Sequence, residues 1–357
     1  MRRFLSAVGL ACTLAATGLT GQQAPVFTPF GALPVLDAYL ESLRQQAGIP
    51  GMSAAVVRDG VVIWEKGYGF QNVASRIRAT PDTPYPAGDI SGTLAAIMLL
   101  QCVERRQLEL DAPVRKYGVE LPDAGLTMRD LLSHTSADPE EPFAYSPERY
   151  GLLTGVMEKC EPHSYRKSVA ELLDRAAMRD SVPGADLWHS DEVLREGEFE
   201  PEDIDRYRHV LERMALPYKV DSKGRPERIE LPSLPISASG GLVTTVRDLA
   251  RLDAATDSEV FLHQDMLDAA WTPVSTRQGT LAPMGLGWFV QSNRGERVVW
   301  HFGLISNAYS SLMLKLPNRK LTLIILANSD RLSSPFQLPS GNVTRSLFAT
   351  LFLKLVT

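Results

Sequence analysis

Between Thr93 and Val103 the chain is apolar nearly all round: Leu94, Ala95, Ala96, Ile97, Met98, Leu99 and Leu100 follow one another without a polar face. A helix with no polar stripe is a buried helix. The chain therefore needs a core deep enough to enclose it. Its 357 residues, 44% hydrophobic and 22% charged, are enough for one large domain or two interlocked ones.

The segments around this helix differ in character. Residues 35–47 repeat apolar positions at helical spacing (Val35, Leu36, Tyr39, Leu40, Leu43). Met52–Val57 and Val61–Tyr68 read as strands, with Asp59-Gly60 as a tight hairpin turn between them. From about residue 105 to 230 the pattern is helices and loops rich in charge, including Arg129–His134 and Val169–Met178. Gly240-Gly241 precedes a short helix, Thr245–Leu252. Four strands are then expected, Leu286–Val290, Arg297–His301, Tyr309–Leu316 and Leu321–Ala327, with Pro317-Asn318 as the last turn. A closing amphipathic helix is expected over Asn342–Leu355. Strands at both ends and helices between them give an α+β fold, an antiparallel sheet flanked by helices with a helical insertion.

Arg2 and Arg3 precede an apolar run from Phe4 to about Leu19, then small residues and Gln22-Gln23. This is the layout of a secretory signal peptide over residues 1–21, with cleavage between about Gly18 and Ala24. The run is short for a membrane span, which takes about 20 residues, and Gly9-Leu10-Ala11 is a poor lipid-attachment context for Cys12. An exported protein is expected, periplasmic or secreted, with no transmembrane span after cleavage. Net charge is −5, which gives no electrostatic reason to expect nucleic acid or an anionic membrane as partner. Cys102 and Cys160 would remain in a compartment that permits a disulfide. For Cys102, in the apolar helix, a free buried thiol is the simpler expectation. The six histidines are scattered, no metal-ligand spacing occurs, and no cofactor is expected.

Several segments, taken in order, resemble the serine β-lactamase and penicillin-binding-protein-like family, nearest its class C, D-alanyl-D-alanine carboxypeptidase and esterase branch. They are Gln107–Val114, Leu126–Ser136 with its Leu-Leu-Ser-His-Thr-Ser stretch, Ser239–Ala250, Gly285-Leu286-Gly287-Trp288, Trp300–Gly303 and Leu326-Ala327-Asn328. The resemblance covers about residues 35 to 330. It implies the β-lactamase/transpeptidase-like fold, with residues 25–88 and 235–357 forming the sheet domain and 89–234 an inserted all-helical domain. It also implies a catalytic set: a serine opening the central helix and a lysine one turn on, a Tyr-x-Asn, a Lys/His-x-Gly strand and two backbone N–H groups for the oxyanion.

Carried over residue by residue, the serine place is Asp89 and the lysine place Gly92. Tyr145 keeps the tyrosine place, and Pro147 stands for the asparagine. His301-Phe302-Gly303 keeps the strand box, which places the oxyanion N–H groups at Asp89 and Leu304. Asp89 would itself fill the oxyanion hole, with its charged form favoured by the helix N-terminus. As an N-cap it would accept from Ser91 or Gly92. His301 would face it across the cleft and could pair with it. Two like charges at about 4 Å cost on the order of 4 kcal/mol at intermediate dielectric, so a carboxylate-bearing β-lactam or D-alanyl peptide is disfavoured. Ser91 points away from the cleft, about 200° around the helix from the serine place. Ser164-Tyr165-Arg166-Lys167 spells the lost motif outside any helix opening that matches the family. His134 reads as a buried hydrogen-bonding residue.

The sequence thus leads to an exported, catalytically silent relative of these hydrolases. It keeps a cleft for binding or scaffolding in the cell envelope, its ligand unknown, a small molecule or, at the level of the family, a muropeptide fragment. The rivals are an active hydrolase with a non-standard catalytic group, and a structural interaction protein with an idle cleft.

Overall fold

The computed structural model describes residues 29–123, 125–188, 198–231 and 233–357. The proposed signal peptide, with Cys12, lies outside them, as does His189. Among the described residues no helix is long and apolar enough to cross a membrane.

A helix, Pro29–Ala47 (α1), leads into the hairpin Gly51–Arg58 (β1) and Val61–Asn72 (β2). Asp59 and Gly60 both take positive φ, 50° and 76°, as a two-residue turn matched to strand twist requires. Short strands Ile77–Arg78 (β3) and Tyr85–Pro86 (β4) precede the apolar helix, Ser91–Glu104 (α2). The helical stretch follows with Met128–Leu132 (α3), Pro147–Gly151 (α4), Leu153–Cys160 (α5) and Tyr165–Arg175 (α6). It is not purely helical. Val182–Pro183 (β5) comes before Pro201–Glu212 (α7), and Tyr218–Val220 (β6) pairs with Pro226–Arg228 (β7). Leu242–Thr244 (β8), Val246–Asp257 (α8) and Gln264–Ala270 (α9) lead to four strands, Phe289–Asn293 (β9), Glu296–Ile305 (β10), Tyr309–Leu316 (β11) and Leu321–Ala327 (β12). Leu347–Val356 (α10) closes the fold.

The main sheet is antiparallel throughout, in the order β3-β2-β1-β12-β11-β10-β9. Its middle strand shows why these segments read as unbroken apolar runs. Leu323, Ile325 and Ala327 pack with Leu36, Leu40, Phe348 and Phe352 of α1 and α10. Ile324 and Leu326 point the other way, into the core built on α2 and α8. Period-two alternation with both faces covered leaves no polar side. On that second face every residue of α2 from Ser91 to Leu100 is buried.

Two expectations are corrected here, on Cys102 and on the start of the closing helix. Cys102 is not free: it is bonded to Cys160 across a Cα separation of 6.3 Å, tying α2 to the end of α5. Glu161 lies near both sulfurs, but sulfurs joined to each other offer no thiolate to a metal. Ser164 does open a helix, α6, where its hydroxyl accepts from the Lys167 N–H at 3.1 Å and donates to Glu198. That Ser-x-x-Lys is a cap. The closing helix starts at Leu347 because Val343–Arg345 forms a separate tight turn and Ser346 caps the helix through Ala349 N–H at 3.3 Å.

Candidate functional site

A backbone approach builds the site. Gly303 in β10 lies against the chain just before α2. A Cβ there would collide with the Ala87 carbonyl oxygen and the Ser311 hydroxyl. The Ser311 hydroxyl donates to that same carbonyl at 2.7 Å, locking the two segments together. Gly88, at φ +58°, turns the chain into a tight helical turn, Gly88–Ile90, that runs on into α2. A Cβ at Gly88 would sit 2.9 Å from the Leu304 nitrogen. Two glycines thus let Asp89 and Leu304 meet.

The Asp89 carboxylate accepts the Leu304 N–H at 3.0 Å and is also bonded by its own backbone N–H. These are the two groups the family resemblance assigns to the oxyanion, and here they hold a side chain of the same chain. The expected cap is absent. Ile90 is the N-cap of α2, and no side chain caps it. The Ser91 hydroxyl turns away, donating to Gly88 O at 2.8 Å and accepting Leu242 N–H at 3.2 Å. The expected charge state is corrected as well. Burial pushes the Asp89 carboxyl up to about 7, against the two N–H bonds that favour its ionised form. The like-charge argument against carboxylate ligands is weaker to that extent, and the argument from filling the hole becomes the stronger one.

His301 is close by but does not pair with Asp89. Its Nδ1 lies 2.7 Å from the Phe302 carbonyl, and among the described residues no hydrogen bond or ion pair joins it to Asp89. A carbonyl only accepts, so Nδ1 carries the proton and Nε2 is the free lone pair. Burial drives this imidazole down to about 4, which keeps it neutral at pH 7.

Tyr145 sits in an aromatic cluster, with ring centroids 4.4 Å from His134, 5.3 Å from Phe302, 5.4 Å from Phe289 and 6.3 Å from His301. Burial, then the neighbouring Asp89, hold its phenol well above the usual range, so it stays protonated. Pro147 takes the first turn of α4, where a missing N–H costs nothing, and Ser146 caps that helix through Arg149 N–H at 3.2 Å. A helix-starting residue thus stands at the place the resemblance gives to the substrate amide.

Gly92 leaves the cleft without a cation. A Cβ there would fit, at 3.4 Å from the Tyr150 ring. The Gly92 carbonyl accepts the Tyr150 hydroxyl at 3.0 Å. Tyr150 stacks on His134 at 5.0 Å, and His134 accepts Ser146 N–H at Nδ1 at 3.0 Å. Burial takes His134 down to about 3, so it too is neutral.

Asp89, Gly92, Tyr145, Pro147 and His301 therefore line one small space, joined by His134, Tyr150 and Ser239. Gly303 and Leu304 frame it through the backbone. Tyr150 and Ser239 were not singled out by sequence reasoning. Ser239 opens one of the segments that carry the resemblance and Tyr150 lies five residues past Tyr145, but no spacing rule marks either one. The open volume is ≈ 10 Å³, about the room one water needs.

This sheet, with α1 and α10 on one face and α2 and α8 on the other, defines a β-lactamase/transpeptidase-like fold. Comparison with known proteins agrees. Residues 36–340 match the Beta-lactamase family, and the chain belongs to it. It is similar to Protein flp of Staphylococcus aureus (strain MW2), 22% identical over 315 residues that cover 82% of this chain and 62% of that protein. The chain thus spans less than two thirds of that relative's length. Among solved structures, the octameric penicillin-binding protein homologue from Pyrococcus abyssi superposes with a TM-score of 0.71 at 22% identity, covering 90% of this chain and 77% of that one. The class C beta lactamase from Rhodobacter sphaeroides gives 0.66 at 16% identity, covering 90% and 99%.

Proposed function

We propose that this chain is an exported, catalytically silent member of the Beta-lactamase family that acts by binding or scaffolding in the cell envelope. One observation carries the reading. The Asp89 carboxylate occupies the donors that a hydrolase of this family keeps free for its transition state, with Leu304 N–H at 3.0 Å. Catalysis needs those donors aimed at charge that develops on the substrate. Here they are already satisfied. Asp89 is also a poor substitute nucleophile, because acylation of a carboxylate yields a reactive anhydride. Gly92 supplies no amine to move a proton, and Pro147 no amide to hold a substrate.

The closed cleft refines the ligand expectation. With room for about one water, a muropeptide fragment enters only if the Tyr145 cluster moves aside. Export rests on the N-terminal Arg2-Arg3 and apolar run.

A second reading has its own support. A half-buried carboxyl whose pKa is raised to about 7, beside space for one water, is the arrangement of a general base. Labelling separates the two. The purified protein is treated with a fluorophosphonate and with a fluorescent penicillin, beside a variant with Asp89→Ser, Gly92→Lys and Pro147→Asn. The silent reading expects no covalent label on the unmodified chain and no turnover of ester or β-lactam substrates. Labelling or turnover abolished by Asp89→Ala establishes the enzyme instead. Thermal shifts with cell-wall fragments then distinguish a cleft that opens from one that is idle.

A further inference from the structure

A second pocket, of about 360 Å³, opens beside α8 and α9 and shares no lining residue with the Asp89 cleft. That volume suits a small organic molecule. Its charged walls come from five separate elements. Arg297 at the start of β10 faces Asp268 of α9 at 3.8 Å, and Lys320 of the β11–β12 turn faces Asp59 of the β1–β2 turn at 3.9 Å. Both pairs are exposed and at the outer limit of an ion pair, so each group has unused hydrogen-bonding capacity and little is lost when the pair opens. A third carboxylate, Asp257, binds the Lys315 ammonium from behind at 2.6 Å while lining the pocket.

The floor is aromatic. Trp271 lines the pocket, is only 6% exposed, and among the described residues its indole N–H has no hydrogen-bond partner. A buried unpaired donor calls for an explanation. Lys315 sits 5.9 Å from the Trp271 ring centroid, so this floor is joined to the buried ion cluster beneath it.

We propose that this pocket binds a small zwitterion of the free amino acid or dipeptide type. Asp257 and Asp268 would take its ammonium group, and Arg297 and Lys320 its carboxylate. Three carboxylates on the wall repel a simple anion, and two fixed cations repel a simple cation. A ligand carrying both charges satisfies both walls, and its short uncharged middle rests on Trp271.

The test uses the intact protein and glycylglycine, with N-acetylglycylglycine and glycylglycinamide as probes that each lack one charge. Binding is read from the indole N–H resonance of Trp271, assigned with Trp271→Phe. The expected result is a saturable shift with glycylglycine, about tenfold weaker for each single-charge probe. Arg297→Gln and Asp268→Asn, both at exposed positions, are expected to weaken glycylglycine by a similar factor. No saturable shift of Trp271, or equal affinity for all three probes, overturns the proposal.

Discussion

Asp89 is a partly buried carboxyl and Asp253 a buried one, both raised by desolvation, and the chain handles them in opposite ways. Asp253 lies between α8 and the sheet with a counter-charge: Lys315 donates to it at 2.9 Å and Thr322 at 2.9 Å. Burial raises its pKa, and the ammonium opposes that rise. Burial also disfavours the Lys315 charge, but Asp253 and Asp257 outweigh this and hold Lys315 protonated. Among the described residues Asp89 pairs with no cation. Two backbone N–H groups favour its ionised form, and burial carries it up to about 7. The first carboxyl is balanced by a partner, while the second, with its pKa at about 7, takes up a proton as pH falls below neutral. The family resemblance would put a lysine one turn from Asp89, at the place that Gly92 holds.

This contrast can be broken from either side. Lys315→Met strands Asp253 without its partner and has the largest expected effect, a loss of about 3–5 kcal/mol in chemical denaturation at pH 7. Adding Asp253→Leu to that variant should recover much of the loss. A double variant as unstable as the single one would show that the cluster matters for packing rather than charge.

Asp89→Asn comes next, and its sign depends on pH. A carboxyl raised in the folded state binds its proton more tightly there than in the unfolded chain. Its contribution is therefore fully present at pH 4 and is lost as pH rises toward 7. Three pKa units correspond to on the order of 4 kcal/mol. Relative to wild type, Asp89→Asn should thus gain by about that amount between pH 4 and pH 8. The neutral His301 and His134 act the other way, losing stability as pH falls from about 6.5 toward 4 and 3. They are present in both proteins and cancel in the difference. A difference in stability that does not change with pH would place the Asp89 carboxyl in solvent.

Gly303→Ala has the smallest effect of the three. The added methyl pushes β10 from Ala87, costing about 1–3 kcal/mol. It also draws Leu304 N–H away from Asp89, so the Asp89 midpoint should rise further. A lower midpoint in this variant would mean that Leu304 is not a donor to it.

What the sequence discloses follows from how local the physics is. Tyr309–Leu316 and Leu321–Ala327 are read at their observed bounds because each is a continuous apolar run ended by a turn. The Asp59-Gly60 hairpin follows from two residues. β9 begins at Phe289 rather than Leu286 because Gly285 N–H bonds Trp288 O at 2.9 Å and Gly287 takes φ +91°, a turn that the apolar letters conceal. The bond of Cys102 to Cys160 spans 58 residues and depends on how α2 meets α5. At the site, the places of Asp89, Gly92 and Pro147 are legible from ordered segments on either side. The capping role failed because the tight turn at Gly88 continues into α2 and turns the Asp89 carboxylate toward Leu304, 215 positions away. No local rule of capping includes that partner.

Whether Asp89 closes its own anion site is measured most directly by following its side-chain carboxyl carbon by NMR against pH, with Asp89→Asn to assign it. The account predicts a midpoint near 7, with the Leu304 amide proton shifting at the same midpoint. A midpoint in the ordinary carboxylate range near 4, with Leu304 unmoved, would contradict it.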